Sequence, residues 1–166
     1  GGMSESTEPA EDPLLLENQV CFAVVTAARN VLSVYRPILD PLGLTHPQYL
    51  VMLALWEKSP RSLGGLADML AMEPATLSPL VKRLESQGRV TRRRRPTDER
   101  VLEIGLTVDG RALRERALDV PGRVMAATGL RADDLVALRD VLGAFAIPQG
   151  ETAVGKGPVA RGGRHR

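Results

Sequence analysis

Residues 66–88 read LADMLAMEPATLSPLVKRLESQG and contain two predicted helices that are joined by a very short turn. Ala67 and Ala71 are small residues at the end of the first helix, and Gly88 stands where the second helix is expected to stop. Small residues let two helices cross closely, as a helix-turn-helix requires. The apolar residues of the second helix recur at helical spacing and predict its buried face: Leu77, Leu80, Val81 and Leu84. The stretch therefore predicts a helix-turn-helix, and its structural alternative is a helical hairpin within a plain bundle.

The opposite face of the second helix carries hydroxyl groups, one proline and two cations. These residues are Thr76, Ser78, Pro79, Lys82 and Arg83. Such side chains can contact base edges and phosphates in the major groove of DNA. We therefore predict that this face binds double-stranded DNA.

A basic hairpin is predicted directly after the helix-turn-helix. Two short β-prone runs, 89–94 and 101–106, are joined by a loop at 95–99. The predicted DNA-contacting residues of this hairpin are Arg92, Arg94, Arg95, Asp98 and Arg100. Arginine at a hairpin tip can enter the minor groove, and a carboxylate such as Asp98 can hold Arg100 in a bidentate pair. The alternatives are a solvated basic hairpin and a simple exposed salt bridge.

Helices are predicted on both sides of this central region. Asp12 and Pro13 are expected to begin a helix whose apolar residues form two adjacent stripes over 14–35, and Pro37 and Pro41 are expected to end it. Such a wide apolar band indicates burial against a partner chain. Thr45 is expected to cap a second helix through a capping box.

The chain after the hairpin is also predicted to be helical. Thr107 is expected to cap a helix that is interrupted near Pro121, and a last helix is expected from Ala132 to about Ala146. The fold class is therefore mainly α with a small β-hairpin wing. The predicted segments are a disordered leader (1–12), a dimerisation helix (13–44), a winged helix-turn-helix domain (45–107), C-terminal dimerisation helices (108–147) and a disordered tail (148–166).

Composition excludes several classes of protein. A single cysteine, Cys21, excludes an internal disulfide and a multi-thiolate zinc site, and two histidines make a histidine metal site improbable. We therefore expect no metal and no cofactor. No apolar run reaches the roughly 18 residues of a membrane span, and no signal-peptide pattern is present. The expected location is the cytoplasm, away from any membrane.

The wing sequence resembles a known family. Residues 98–107 read DERVLEIGLT, and a helix-turn-helix precedes them, which is similar to the MarR regulators. The likeness covers about residues 13–147. It implies a winged helix domain at about 45–107 and an obligate homodimer formed by helices from both chain ends.

The first third of the chain resembles one subfamily, the organic hydroperoxide regulators (OhrR). The similar motifs are LENQVCF at 16–22, YRPILD at 35–40 and THPQYLVMLALWE at 45–57. The resemblance implies a redox sensor in which peroxide oxidises Cys21 and two tyrosines, Tyr35 and Tyr49, contact that cysteine. With no second cysteine, the chain would belong to the one-cysteine type.

Helix geometry adds a constraint on this site. Cys21 and Tyr35 lie fourteen residues apart on one predicted helix, which is about 21 Å along its axis and about 40° around it. The two side chains share a face but cannot touch within one chain. If two such helices cross antiparallel near Ala28 about a two-fold axis, Cys21 of one chain meets Tyr35 of the other.

The predicted function is that of a repressor that is not an enzyme. The reduced homodimer binds a pseudo-palindromic operator, and oxidation of Cys21 by an organic hydroperoxide, followed by a mixed disulfide with a small thiol, releases the DNA. Three alternatives remain: a MarR-type repressor released by a small aromatic ligand with Cys21 inert, a thiol peroxidase, and an architectural DNA-binding protein. Free cysteine is usually buried as a small hydrophobe, which is the ordinary reading of Cys21.

Overall fold

The computed structural model describes residues 12–145, so the predicted tail and nearly all of the predicted leader lie outside the described residues. Within that range the chain forms seven α-helices and three strands. They are α1 (Pro13–Leu39), α2 (His46–Glu57), β1 (Arg61–Ser62), α3 (Leu63–Leu70), α4 (Pro74–Ser86), β2 (Val90–Arg95), β3 (Asp98–Leu106), α5 (Val108–Ala117), α6 (Val120–Thr128) and α7 (Ala132–Leu142). The predicted fold class, mainly α with a small β-hairpin wing, is confirmed. None of the described helices is both long and apolar enough to cross a membrane.

The predicted helix starts are confirmed by their capping hydrogen bonds. The Asp12 side chain accepts from the Leu14 N–H at 3.0 Å. Thr45 and Gln48 form a complete capping box at the start of α2, each side chain accepting from the other residue's backbone N–H. Thr107 Oγ1 accepts from the Gly110 N–H at 2.9 Å and caps α5. These bonds satisfy N–H groups that have no partner inside the helix, so each one locates a helix start within three residues.

The first helix does not end before Pro37, as predicted, but continues through it to Leu39. Proline removes only its own N–H donor, and the helical bonds resume beyond it, because the Asp40 N–H donates to the Arg36 carbonyl. Leu39 is fully buried in the core, which holds this last turn in place. The chain turns at Gly43, whose φ of 68° is accessible to glycine without strain.

The sheet has the antiparallel order β1-β3-β2. Two details differ from the prediction. β1 is only two residues long and pairs with Ile104 and Glu103, which no sequence pattern indicated. The predicted loop at 95–99 was too long, because β3 already begins at Asp98 and Arg95 pairs with Asp98. A bulge between Arg94 and Arg95 accompanies this pairing.

The core lies where α2, α3 and α4 meet the sheet. The predicted buried face of α4 is confirmed: Leu77, Val81 and Leu84 are fully buried and Leu80 is half-buried. α6 packs against α1, and its first residue, Val120, is buried. The predicted interruption near Pro121 occurs at residues 118–119, and Pro121 lies in the first turn of α6. α7 ends at Leu142, followed by a 3₁₀ turn, Gly143–Phe145, and Ala146 lies outside the described residues.

The two ends of the described chain expose much apolar surface. On α1, Phe22 is 71% exposed, and several neighbouring leucines and valines are also exposed. On α7, Val141 is 65% exposed and none of the helix is buried. An apolar face of this extent costs free energy in water unless another surface covers it.

Candidate functional site

The predicted contact face of α4 lies on the surface. Thr76, Pro79, Lys82 and Arg83 are exposed, and Ser78 is half-buried. The turn before α4 is tight because Ala71 adopts a left-handed conformation (φ 53°) and the Met72 N–H donates to the Ala67 carbonyl at 2.9 Å. This turn sets α4 against α3 with its polar face outward.

A groove of about 470 Å³ runs between α4, the start of α3 and the β2–β3 hairpin, which we call the wing. The cations that line it are Lys82, Arg92, Arg94 and Arg100. Alternation along β2 places Arg92 and Arg94 on the groove side of the sheet. The structure therefore brings together predicted DNA-contacting cations from α4 and from the wing. Such a concentration of positive charge attracts a polyanion.

Two of the predicted wing contacts are already paired with carboxylates. Arg92 Nε donates to Glu85 Oε1 at 3.2 Å, which ties β2 to the end of α4. Arg95 Nε donates to Glu103 Oε1 at 2.8 Å across the hairpin. Both guanidinium groups hold the wing together, so part of their charge is neutralised within the protein. Direct DNA contacts by Arg92 and Arg95 stay a prediction.

The predicted bidentate pair between Asp98 and Arg100 is confirmed. Arg100 Nε lies 3.0 Å from Asp98 Oδ1, and Arg100 Nη2 lies 3.3 Å from Asp98 Oδ2. Hydrogen bonds from the Arg100 side chain, and then from its backbone N–H, hold the pKa of Asp98 below its usual value. The Arg100 side chain is 90% exposed. Asp98 therefore orients an arginine that projects into solvent at the groove.

The redox residues predicted from sequence are only partly brought together within one chain. Tyr35 and Tyr49 lie side by side, with ring centroids 6.0 Å apart. Cys21 is exposed on the same continuous helix as Tyr35, fourteen residues earlier. That separation corresponds to about 21 Å along the helix, so contact within the chain is impossible. Contacts between Cys21 and either tyrosine across a dimer stay a prediction.

His46, which the sequence analysis did not single out, belongs to the tyrosine cluster. Its ring meets that of Tyr35 edge-on, with centroids 4.8 Å apart. Burial lowers the pKa of His46 and raises the pKa of both tyrosines, and the nearby Tyr35 further raises the pKa of Tyr49. At neutral pH the imidazole is therefore neutral and the phenols keep their protons. The sequence signals for His46 were its place beside the Thr45 cap and within the motif THPQYLVMLALWE at 45–57.

A second cavity, of about 380 Å³, lies where α2 faces α5 and α6. Tyr49 and Trp56 supply aromatic surface, and Arg114 supplies a cation. Trp56 Nε1 also donates to the Gly110 carbonyl at 2.8 Å, which ties the end of α2 to the start of α5. In size this cavity suits a small aromatic molecule, and its charged lining consists of Arg114 and the carboxylate of Glu57. Among residues 12–145, no cluster of three potential metal ligands occurs.

Comparisons with known proteins agree with this geometry. The model of the MarR family matches residues 44–102. The organic hydroperoxide resistance transcriptional regulator of Bacillus subtilis is 40% identical over 131 residues, which cover 79% of this chain and 89% of that protein.

Two solved structures extend the comparison. Reduced AbfR bound to DNA, a protein of Staphylococcus epidermidis, is 32% identical with a TM-score of 0.69, over 80% of this chain and 92% of that one. BpsR of Bordetella bronchiseptica, whose DNA binding is regulated by 6-hydroxynicotinic acid, is 26% identical with a TM-score of 0.68, over 76% and 98% of the two chains.

Proposed function

This chain belongs to the MarR family of transcriptional regulators, and from that premise we propose that it is a homodimeric repressor that organic hydroperoxides inactivate through Cys21. The single observation that carries the proposal is the 40% identity to the Bacillus regulator over 131 residues, 79% of this chain. A regulator of this kind needs a DNA-binding surface, a dimer interface and a reactive thiol.

The DNA-binding surface in this proposal is the cationic groove. Residues 45–107 form the winged helix-turn-helix domain, and each protomer places α4 in the major groove of one operator half-site. The exposed face of α4 contributes Thr76, Ser78, Pro79, Lys82 and Arg83. The wing contributes Arg94 and Arg100, with Asp98 orienting Arg100, and reaches the adjacent minor groove.

The dimer interface in this proposal is built from both chain ends, 13–44 and 108–147. The exposed apolar faces of α1 and α7 support it, because a partner chain would cover them. When two α1 helices cross antiparallel near Ala28, Cys21 of one protomer reaches the Tyr35 of the other. Tyrosine hydroxyls that keep their protons can donate hydrogen bonds to a thiolate, which favours its formation.

The signal chemistry proceeds in two balanced steps. The Cys21 thiolate attacks the terminal oxygen of the hydroperoxide, the O–O bond breaks, and sulfenic acid and an alkoxide form, and the alkoxide takes a proton to become an alcohol. A small thiol then condenses with the sulfenic acid, which forms a mixed disulfide and water. The added bulk in a packed interface costs free energy, so the protomers shift relative to each other. The Trp56–Gly110 hydrogen bond joins α2 of the DNA-binding domain to α5 and transmits this shift from the C-terminal helices to that domain.

The test compares the wild type with Cys21→Ser in a DNA-release assay with cumene hydroperoxide and a small thiol. Serine is nearly isosteric, so the variant should bind operator DNA with unchanged affinity. It should not release that DNA, because a hydroxyl group does not react as a thiolate does. Mass spectrometry of the same samples should find the mixed disulfide only in the wild type. Equal release by both proteins would overturn the proposal.

A second candidate is a repressor released by a small aromatic acid, and the cavity beside Trp56 and Arg114 favours it. The likeness to BpsR supports it as well. Under this hypothesis, 6-hydroxynicotinic acid as a probe lowers DNA affinity equally in the wild type and in Cys21→Ser, with no change in mass. An Arg114→Gln variant would lose that response, because it lacks the cation that pairs with the carboxylate.

A further inference from the structure

We propose that His46 is the acid–base group of the sensor: it accepts the proton of Cys21 of the partner subunit and returns it to the alkoxide that leaves the hydroperoxide. This inference rests on the proposed function, because it requires Cys21 to be the reacting thiol. It assigns a role to a residue whose ring lies against Tyr35 in the tyrosine cluster.

His46 lies against Tyr35 at the start of α2. His46 is the first residue of α2, and the capping box at Thr45 fixes the backbone there. Its ring contacts that of Tyr35 edge-on at 4.8 Å. Both rings are partly exposed, whereas Tyr49 is only 4% exposed. A group that approaches Tyr35 from outside the chain therefore meets His46 more readily than Tyr49.

Cys21 and Tyr35 share one face of α1. In the proposed dimer, whose two-fold axis passes near Ala28, Cys21 of the partner subunit lies beside Tyr35. His46 touches Tyr35 and so comes within reach of the same thiol. The helix of Cys21 offers no basic side chain within one turn, since residues 17–25 contain no lysine, arginine or histidine. The base has to come from another element.

The charge state of His46 suits a proton acceptor. Burial lowers the pKa of His46, so the ring is neutral at pH 7 and can accept a proton. Three titratable or charged groups lie near it: Tyr35 and Arg36 from α1, and Asp40 from the turn after α1, while Tyr49 lies against Tyr35. Arg36 and Asp40 line the same surface cleft of about 250 Å³ and carry opposite charges. Their effects on the imidazole oppose each other, which leaves burial as the main influence.

The proton and electron balance is complete with these groups. His46 takes the thiol proton, and the thiolate attacks the outer oxygen of the hydroperoxide. As the S–O bond forms and the O–O bond breaks, sulfur is oxidised and the peroxide is reduced. The imidazolium then protonates the departing alkoxide to an alcohol. The Tyr35 hydroxyl, whose pKa burial raises, stays protonated and can donate to the thiolate.

The experiment measures the rate constant for Cys21 oxidation by cumene hydroperoxide in the full-length dimer, from about pH 5.5 to about pH 9. In the wild type the rate should fall as the pH drops through the pKa of His46, because imidazolium cannot accept a proton. His46→Phe keeps an aromatic ring against Tyr35 but cannot carry a proton. In this variant the fall in rate at low pH should disappear, and Cys21 oxidation at pH 7 should be slower on the order of 100-fold. His46→Asn should behave alike.

Controls distinguish proton transfer by His46 from a purely structural role of that residue. The same substitution at the chain's other histidine, His165→Phe, should leave the profile unchanged. A merely structural role for His46 would lower the rate at every pH by one factor and preserve the shape of the profile, which would overturn the inference. Identical profiles in His46→Phe and the wild type would overturn it as well. If the wild type itself does not react or release DNA, the proposed function fails instead.

Discussion

At the scale of single residues, the arginines of the wing divide into two groups. Arg92 and Arg95 are bound by Glu85 and Glu103, so they join β2 to α4 and to β3. Arg100 is bound by Asp98 but remains almost fully exposed. Charge counting along the sequence treats all of them alike. The ion pairs show that Arg92 and Arg95 stabilise the wing, whereas Arg100 is paired and still directed outward.

Arg100→Ala should lower operator affinity by roughly ten-fold or more, because it removes a cation held at the groove edge. The midpoint of chemical unfolding should not change, because the lost ion pair is exposed. Fluorescence anisotropy at fixed salt and a denaturant titration measure the two quantities. Arg123→Ala is the matched control, since Arg123 is an exposed arginine paired with Asp119 on α6. An equal loss of affinity in both variants would contradict a specific role for the wing.

At the scale of elements, Gly110 lies where four segments meet: the ends of α2 and α4 and the starts of β2 and α5. Its carbonyl accepts from Trp56 at the end of α2, and its N–H donates to the Thr107 cap of α5. Thr107 Oγ1 also donates to the Gly88 carbonyl at 2.6 Å, just after α4. A Cβ at position 110 would overlap the Arg89 carbonyl oxygen, directly before β2. Only glycine allows the backbones to come this close.

Gly110→Ala should therefore lower the free energy of unfolding by about 1–3 kcal/mol, because the overlap forces the backbone to shift. It should also weaken DNA binding, since the wing and α4 meet at this junction. Gly122→Ala on α6 is the matched control, because its Cβ would meet no atom within 4 Å. There, alanine should stabilise the exposed helix by up to about 1 kcal/mol. Urea unfolding of the two variants measures these changes. An unchanged free energy of unfolding in Gly110→Ala would contradict the close approach of the backbones at residues 110 and 89.

At the scale of the whole molecule, the apolar faces of α1 and α7 lie at the two ends of the described chain. MarR regulators bind DNA as dimers, which is consistent with a partner chain on these faces. The buried core also includes Leu39 at the end of α1, whereas the exposed apolar faces of α1 and α7 lie outside that core.

Charged substitutions on these faces should weaken the dimer. Val31→Glu on α1 and Val141→Glu on α7 each place a carboxylate in the proposed interface, where an unpaired charge costs several kcal/mol. Each should raise the dimer dissociation constant on the order of 100-fold or more by sedimentation analysis. Met69→Glu, on an exposed methionine of α3 outside both segments of the proposed interface, should remain dimeric. A stable folded wild-type monomer at micromolar concentration would contradict the proposed interface.

The sequence by itself determined the features that depend on neighbouring residues. The caps at Asp12, Thr45 and Thr107 were predicted correctly because each bond spans only two or three residues. The buried face of α4 followed from the spacing of its apolar residues, since side chains three or four residues apart lie on the same face of a helix. The bidentate pair of Asp98 and Arg100 lies within one strand and was equally local.

Only the tertiary structure decided the contacts between distant segments. α1 continues through Pro37 because Leu39 is buried in the core, and β1 forms because it pairs with β3. His46 stands against Tyr35, eleven residues away, because the chain turns at Gly43 between the two helices. Such contacts depend on where whole elements pack against each other, and no local pattern carries that information.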